Sequence, residues 1–156
     1  MYARTFTLTM ILIGFGLTTT AFAAKVEVAR SKFNEVQARY DETKRAVDAN
    51  NSNAAKPAAS ELVKTASSTC IAINDIYTDI TDMPGLHALW IRSKEMCMLL
   101  ATSAETLKNK VGEGDASREM SKVTEDFLKL GESLKLAQDK SKEFGARWQA
   151  ICDTCR

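Results

Sequence analysis

The four cysteines are the residues of this chain with the clearest capacity for chemistry, and they form two pairs of different spacing. Cys152 and Cys155 make a Cys-x-x-Cys motif that is followed by Arg156, whereas Cys70 and Cys97 are far apart in the sequence. Paired cysteines can form structural disulfides, exchange disulfides, bind a metal or attach a haem. The compartment and the helices that carry the cysteines decide among these chemistries.

The Cys152–Cys155 motif departs from a haem-attachment signature at one position. That signature is Cys-x-x-Cys-His, in which the histidine is an axial ligand of the iron. Arg156 stands at the histidine position, and an arginine side chain stays protonated and cannot ligate iron. A redox role is also disfavoured, because the motif lies near the C-terminal end of a predicted helix, where the helix dipole opposes a thiolate. We therefore predict a disulfide for Cys152 and Cys155, either with each other or with a second chain.

A metal site is not predicted from these residues. Zinc needs about four ligands, and the motif supplies two. The single histidine, His87, falls in the first turn of a predicted helix, where we expect a solvated surface side chain. Cys70 and Cys97 are predicted near the middle of their helices, too far away to complete a site with the motif.

The first 23 residues have the pattern of a secretory signal peptide. Arg4 supplies a positive charge, residues 8–17 are apolar, and Ala21-Phe22-Ala23 is a small-x-small cleavage site. The apolar run is well short of the roughly 20 residues that span a bilayer, so cleavage is favoured over a retained anchor. We predict a signal peptide at 1–23, a single domain at 24–156 and a periplasmic or secreted product, with no membrane attachment after cleavage.

The charge of that product is close to zero. Removing Arg4 from the 21 basic residues leaves 20, which equals the number of acidic residues. Without a basic excess the chain is not expected to bind nucleic acid or anionic lipid. Glycine and proline are scarce, and no alternating strand pattern is present, so the composition favours an all-α fold.

Apolar residues recur every three or four positions in four segments, which predicts four amphipathic helices. The first runs from about 25 to 49, the second has Pro57 in its first turn, the third starts at the Asp82-Met83-Pro84 turn, and the fourth follows Gly112-Glu113-Gly114 with Asp115 as its N-cap. The predicted core positions are Val26, Ala29, Phe33, Val36, Tyr40, Thr43, Val47, Leu62, Ala66, Cys70, Ile73, Tyr77, Ile80, Leu86, Trp90, Ser93, Cys97, Leu100, Ala104, Leu107, Val111, Met120, Val123, Phe127, Leu130, Leu134, Ala137, Ser141, Phe144, Trp148, Ile151 and Cys155. Short loops between such helices predict an antiparallel up-down-up-down four-helix bundle with a long C-terminal helix. A three-helix bundle with an extended arm is the alternative.

An exported four-helix bundle with Cys152 and Cys155 on its last helix resembles the periplasmic bundle cytochromes, above all cytochrome c′. The resemblance covers the architecture and these two cysteines. It implies a haem attached through Cys152 and Cys155, but Arg156 departs from the family's histidine. We therefore predict no cofactor and keep a cytochrome c′-like haem protein with a degenerate motif as an alternative.

Cys70 and Cys97 are predicted to form a structural disulfide. They are equally far in sequence from the Met83–Pro84 peptide, so a helical hairpin that turns there brings them to the same height. A disulfide needs Cα atoms within about 7 Å. The neighbours Ala66, Ser67, Ser93 and Ala101 are small enough to let the two helices approach. An oxidising compartment favours the bond.

The end of the fourth helix is predicted to bind a partner or to cap the bundle. Phe144, Trp148 and Ile151 continue the apolar stripe past the expected end of the third helix. Such a stripe is covered either by a bend at Gly145, which folds the tail over the bundle, or by a homodimer or another periplasmic protein.

The sequence contains no nucleophile–base–acid motif, no Glu-x-x-His pair and no phosphate-binding glycine loop. The interpretation is a non-catalytic, disulfide-stabilised helical bundle that acts through protein–protein contacts. The alternatives are the haem protein and a thiol- or metal-responsive protein.

Overall fold

The computed structural model describes the backbone of residues 3–114 and 116–154, together with the side chains of residues 21–114, 116–147 and 150. Over these residues the chain forms α1 (Ala3–Asp48), α2 (Ser52–Asp79), α3 (Pro84–Lys110) and α4 (Ala116–Thr154). Each helix packs on the next along the chain, α4 also packs on α1, and within the described residues the diagonal pairs have no Cα atoms within 8 Å of each other. This arrangement is the predicted four-helix bundle, and the three-helix alternative is wrong.

The buried residues confirm most of the predicted stripes. All eight predicted core positions of α3 are buried, from Leu86 to Val111. Phe33, Cys70, Tyr77 and Phe127 are half-buried rather than buried. The structure adds buried positions that the stripes did not include: Ala55, Ala58, Ala59, Thr69, Ile76, Ser103, Asp126 and Ser133. The core is therefore wider than one residue per turn, because each helix in a bundle faces two neighbours.

Two helix starts differ from the prediction. Helix α1 begins at Ala3 instead of about 25, because the apolar segment of the predicted signal peptide continues the same helix. Helix α2 begins at Ser52, since the Asn51 side chain accepts a hydrogen bond from the backbone N–H of Ala54 at 3.2 Å. An asparagine cap satisfies one of the free N–H groups at a helix start. Pro57 consequently lies inside α2 and not in its first turn, at an exposed position where water can hydrate the carbonyl that proline leaves unpaired.

The turns follow from local residue chemistry. After α1, Asn50 adopts a left-handed φ of 51°, and the N–H groups of Asn50 and Asn51 return to the carbonyls of Val47 and Ala46. This pattern is a Schellman motif, which satisfies the last carbonyls of a helix. Helix α3 starts with Met83 as N-cap and Pro84 in its first turn, as predicted. Gly112 has a φ of 96° after α3. The predicted N-cap of α4, Asp115, lies outside the described residues.

The α2–α3 hairpin contains the predicted disulfide. Cys70 and Cys97 are bonded, with their Cα atoms 5.6 Å apart. Cys97 is buried and Cys70 is half-buried, while Ala66 and Ser93 beside them are fully buried. Small side chains at this level let the backbones of α2 and α3 come within the Cα distance that a disulfide needs. The side chains of Cys152 and Cys155 lie outside the described part of the chain, so their predicted disulfide stays a prediction.

The α1–α4 contact is built from aromatic rings. Tyr40 and Phe127 stack with ring centroids 4.2 Å apart, and Phe33 stacks on the same Phe127 ring at 5.5 Å. The Tyr40 hydroxyl donates to Thr124 Oγ1 at 3.0 Å, so the polar end of this largely buried side chain has a hydrogen-bond partner across the α1–α4 contact. A Cβ on Gly131 would lie 3.3 Å from the Phe33 ring. This glycine therefore lets the Phe33 ring approach α4 closely.

Helix α4 has 39 residues and is longer than α2, with 28 residues, and α3, with 27. It continues as one helix through Gly145 to Thr154. Gly145 therefore does not break the helix, and the two predicted ways of covering the apolar stripe of α4 stay predictions. Within the described residues, no helix combines the length and the apolar run that a membrane crossing needs.

Candidate protein-binding surface

The candidate site lies at one end of the bundle, which we call the base. Three elements meet there: α1 around residues 21–27, the α2–α3 turn (residues 80–83) and α4 around residues 141–146. They are brought together because α1 and α4 run in opposite directions, so that the N-terminal half of α1 and the C-terminal part of α4 reach the same end. Both helices extend past the α2–α3 turn.

A largely apolar cavity of about 660 Å³ opens between these elements, and we call it the base cavity. This volume falls in the range of roughly 300–1,000 Å³ that is usual for ligand pockets. Its lining residues are Ala21, Phe22, Ala23, Val26, Glu27, Asp79, Ile80, Met83, Ser141, Lys142, Phe144, Gly145 and Ala146. Val26 and Ile80 belong to the buried core, so the cavity is the open end of that core.

The predicted leader forms one wall of the base cavity. Ala21, Phe22 and Ala23 line it, and Phe22 also packs against the core. Opposite them, α4 contributes Phe144, which is half-buried. The predicted cleavage point after Ala23 thus coincides with the edge of the cavity, and removal of residues 1–23 would take the wall away.

The roof of the cavity is held by a buried hydrogen bond. The Trp90 indole N–H donates to Ser141 Oγ at 3.2 Å, and the Ser141 hydroxyl donates to the Ala137 carbonyl at 2.7 Å. Trp90 is fully buried. The bond fixes α4 against α3 directly above the point where α4 leaves the bundle.

Charged groups surround the cavity in an uneven way. The C-terminal part of α2 and the α2–α3 turn carry Asp75, Asp79 and Asp82, all exposed. Lys25 bonds the Asp79 carboxylate and joins α1 to α2 at this level. The base side of α4 carries exposed Lys142 and Arg147. The turn is therefore acidic, whereas α4 carries these two bases next to the exposed acids Asp139 and Glu143, and Glu27 of α1 also lines the cavity.

The carboxylate of Glu143, next to Lys142 on α4, is paired with a lysine of the same helix. Lys140 donates to Glu143 at 2.7 Å. That hydrogen bond, then the Lys140 charge and to a smaller extent the charge of Arg147, lower the pKa of Glu143. Glu143 therefore stays ionised and adds no uncompensated charge to the base.

Of the three residues predicted to bind a partner, the structure describes the side chain of Phe144. It lies at the base cavity, as expected for a surface that begins where the bundle ends. The side chains of Trp148 and Ile151 lie outside the described residues, so their part in the surface stays a prediction.

His87 lies close to the base but differs from the solvated residue that the sequence predicts. Its ring stacks on Tyr77 with centroids 4.6 Å apart and planes 15° from parallel, and the residue is half-buried. Its Nε2 atom is buried without a hydrogen-bond partner. The ammonium of Lys94 lies 5.0 Å from the centre of the Tyr77 ring and also bonds Asn74. Within the described side chains, no group of three or more potential metal ligands surrounds this or any other point.

A second, smaller cavity of about 370 Å³ lies on the outer face of α3 and α4. It includes Leu99 and Leu136, which are exposed, beside the charged side chains of Arg92, Lys129 and Glu132. The sequence stripes do not predict it, because its apolar residues are off the core phase. The mixed lining and the smaller volume make the base the stronger candidate surface.

Comparisons with known proteins add no relative from which a function could be carried over. No family model matches the chain, and neither a curated protein nor a solved structure matches it.

Proposed function

We propose that this chain is exported, cleaved after Ala23, and acts as a non-catalytic helical bundle that binds another protein chain through its base. The binding surface comprises the base cavity and the end of α4, with Phe144, Trp148 and Ile151 as its apolar side chains. The non-catalytic part of the proposal rests on the absence of a catalytic motif from the sequence.

One observation carries the proposal. The last three residues of the predicted signal peptide, Ala21, Phe22 and Ala23, form one wall of the base cavity, and Phe144 of α4 lines it as well. Cleavage after Ala23 removes this wall and uncovers apolar surface that joins the buried core at Val26 and Ile80. Apolar patches of this kind mark interaction sites on exported proteins, since leaving them in water costs free energy.

The unbroken course of α4 supports the same conclusion. A tail that folded back would cover the cavity from within the chain, but α4 remains helical to Thr154. The cavity and the α4 end are therefore both available to a second chain. The disulfide between Cys70 and Cys97 suits the oxidising compartment that the proposal requires.

Processing is tested first, with the full chain expressed in a bacterium and its cell fractions separated. We expect the periplasmic protein to have the intact mass of residues 24–156 with the Cys70–Cys97 bond formed. A product that keeps residues 1–23, or that stays in the cytoplasm, would contradict the proposal.

Binding is tested by photo-crosslinking from two exposed positions of α4. Ala146 lines the base cavity, and Lys122 lies near the other end of the same helix. A photoreactive amino acid at 146 should give protein adducts in the intact periplasm, whereas the same residue at 122 should give few. Equal adduct yields at the two positions, or none at 146, would argue against a binding surface at the base.

A further inference from the structure

The end of α4 loses its neighbours within the chain once the leader is removed. Residues 144–154 form about 16 Å of helix, and α2 and α3 meet at the turn 80–83 beside the base cavity. The segment of α1 that shares this level, residues 21–23, belongs to the predicted leader. In the cleaved protein no helix of the same copy extends as far as the end of α4.

The charges at the base are complementary to each other. The carboxylates of Asp75 and Asp82 are exposed and make no ion pair within the described part of the chain. The same holds for the exposed side chains of Lys142 and Arg147 on α4. One copy thus presents exposed acids on the turn and, on α4, the bases Lys142 and Arg147 next to the exposed acids Asp139 and Glu143.

We propose that the occupant of the base is a second copy of this chain, an inference that rests on the proposed export and cleavage. The two copies pair about a two-fold axis, so that the end of α4 of each copy lies over the apolar surface that cleavage uncovers at the base of the other. In this arrangement Lys142 of one copy faces Asp82 of the other, and the apolar side chains near Phe144 cover that surface.

Two-fold pairing uses each feature of the base twice. In an isologous dimer every contact between different residues occurs in two symmetry-related places. The apolar surface at the base of each copy is then covered by the α4 end of the other copy. An unrelated partner would have to supply its own helix end and its own acidic edge.

The test is the association equilibrium of the exported full chain, measured by sedimentation equilibrium over a range of concentrations. Intact mass of the same sample shows whether residues 1–23 are gone. A cleaved protein should dimerise reversibly. A cleaved protein that stays monomeric up to hundreds of micromolar would overturn the dimer but leave the processing step intact, whereas an uncleaved product would contradict the proposed function itself.

Charge reversal then tests the pairing in detail. Lys142→Glu and Asp82→Lys should each weaken dimerisation by roughly tenfold, since each replaces two weak attractions by two repulsions. The double variant Lys142→Glu/Asp82→Lys should regain most of the affinity. A double variant as weak as the singles, or singles without effect, would overturn the assigned pairing.

Two matched controls accompany these variants. Lys122→Glu and Asp41→Lys reverse exposed charges away from the base, and neither side chain makes an ion pair within the described residues. Both should leave the dimer unchanged, and all variants should keep the wild-type melting temperature. If the wild type is monomeric and instead binds a fluorescent apolar probe that a Phe144→Ser variant releases, the base cavity holds a small apolar ligand and the second copy is excluded.

Discussion

The Trp90 indole N–H and the Ser141 hydroxyl are bonded across the α3–α4 contact at 3.2 Å, in a fully buried setting directly above the base cavity. Both residues lie on predicted core stripes, but the spacing alone does not pair them. The structure shows instead that the serine supplies the acceptor that a buried indole requires. The bundle therefore keeps a specific polar contact at the level where α4 leaves it.

Ser141→Ala should lower the free energy of unfolding by about 1–3 kcal/mol, because it leaves the Trp90 N–H buried without an acceptor. Ser121→Ala is a matched control, since Ser121 also bonds the carbonyl four residues earlier in α4 but is exposed. The control should change stability by less than about 0.5 kcal/mol. Urea unfolding of both variants provides the measurement, and equal effects would show that the Trp90 bond contributes nothing.

Removal of the Cys70–Cys97 bond should destabilise the bundle by about 3–4 kcal/mol. The bond joins residues that are 27 apart in sequence. By closing a loop of this size it lowers the conformational entropy of the unfolded chain, which stabilises the folded state by about that amount. The double variant Cys70→Ala/Cys97→Ala should show this loss in denaturant unfolding without reductant.

The matched control for the disulfide is Cys152→Ala/Cys155→Ala. Both residues follow Ser141, the last buried residue of α4 among the described side chains, so the variant should unfold close to the wild type. A loss of stability as large as that of the Cys70/Cys97 variant would show that the tail cysteines also hold the fold.

His87→Phe should leave the bundle as stable as the wild type or stabilise it by about 1 kcal/mol. The phenyl ring can keep the stack on Tyr77, while the Nε2 atom that is buried without a partner is removed. Tyr77→Leu, which removes the stack, should destabilise. Thermal unfolding of the two variants is the measurement. A clear loss of stability in His87→Phe would show that an imidazole nitrogen has a hydrogen-bond partner that the phenyl ring cannot replace.

Exposed ion pairs give the bundle a weak acid sensitivity. Glu125 accepts a hydrogen bond from Lys129, and this bond, followed by the Lys129 charge, lowers the pKa of the carboxyl below 4.5. The pair of Glu143 with Lys140 has the same effect on the pKa of Glu143. Because the folded pKa is lower than the unfolded one, the contribution to stability is present above about pH 4.5 and is lost as the pH falls through the folded pKa.

These pKa shifts are checked by carbon NMR titration of the glutamate carboxyls. Lys129→Met should raise the pKa of Glu125 and leave that of Glu143 unchanged, and Lys140→Met should do the reverse. High salt should move both pKa values toward 4.5. Values that do not respond to these changes would show that the ion pairs are absent in solution.

Local signals in the sequence account for most of the fold but not for every helix boundary. The three-four spacing of apolar residues predicts all four helices and the buried face of α3. Pro57 wrongly indicated the start of α2. The helix begins more than one turn earlier, where the Asn51 side chain accepts a hydrogen bond from the backbone N–H of Ala54. The small-residue level around Ala66 and Ser93 correctly predicts the close approach at the disulfide.

The candidate site was predictable only in outline. The apolar stripe of α4 indicates a surface at Phe144, but the base cavity also depends on Val26 of α1 and on Ile80 and Met83 of the α2–α3 turn, which are distant from α4 in the sequence. The stack of His87 on Tyr77 escaped prediction for the same reason, since the two rings lie on different helices.

The sequence by itself determined the helices, their buried faces and the Cys70–Cys97 bond, because helical periodicity and the symmetry of a hairpin are fixed by spacing along the chain. The tertiary structure alone decided that α4 continues as a helix past Gly145 and that the core opens into a cavity at its base. Those features depend on which distant side chains are present to cover an apolar surface. Spacing along one helix carries no information on that point.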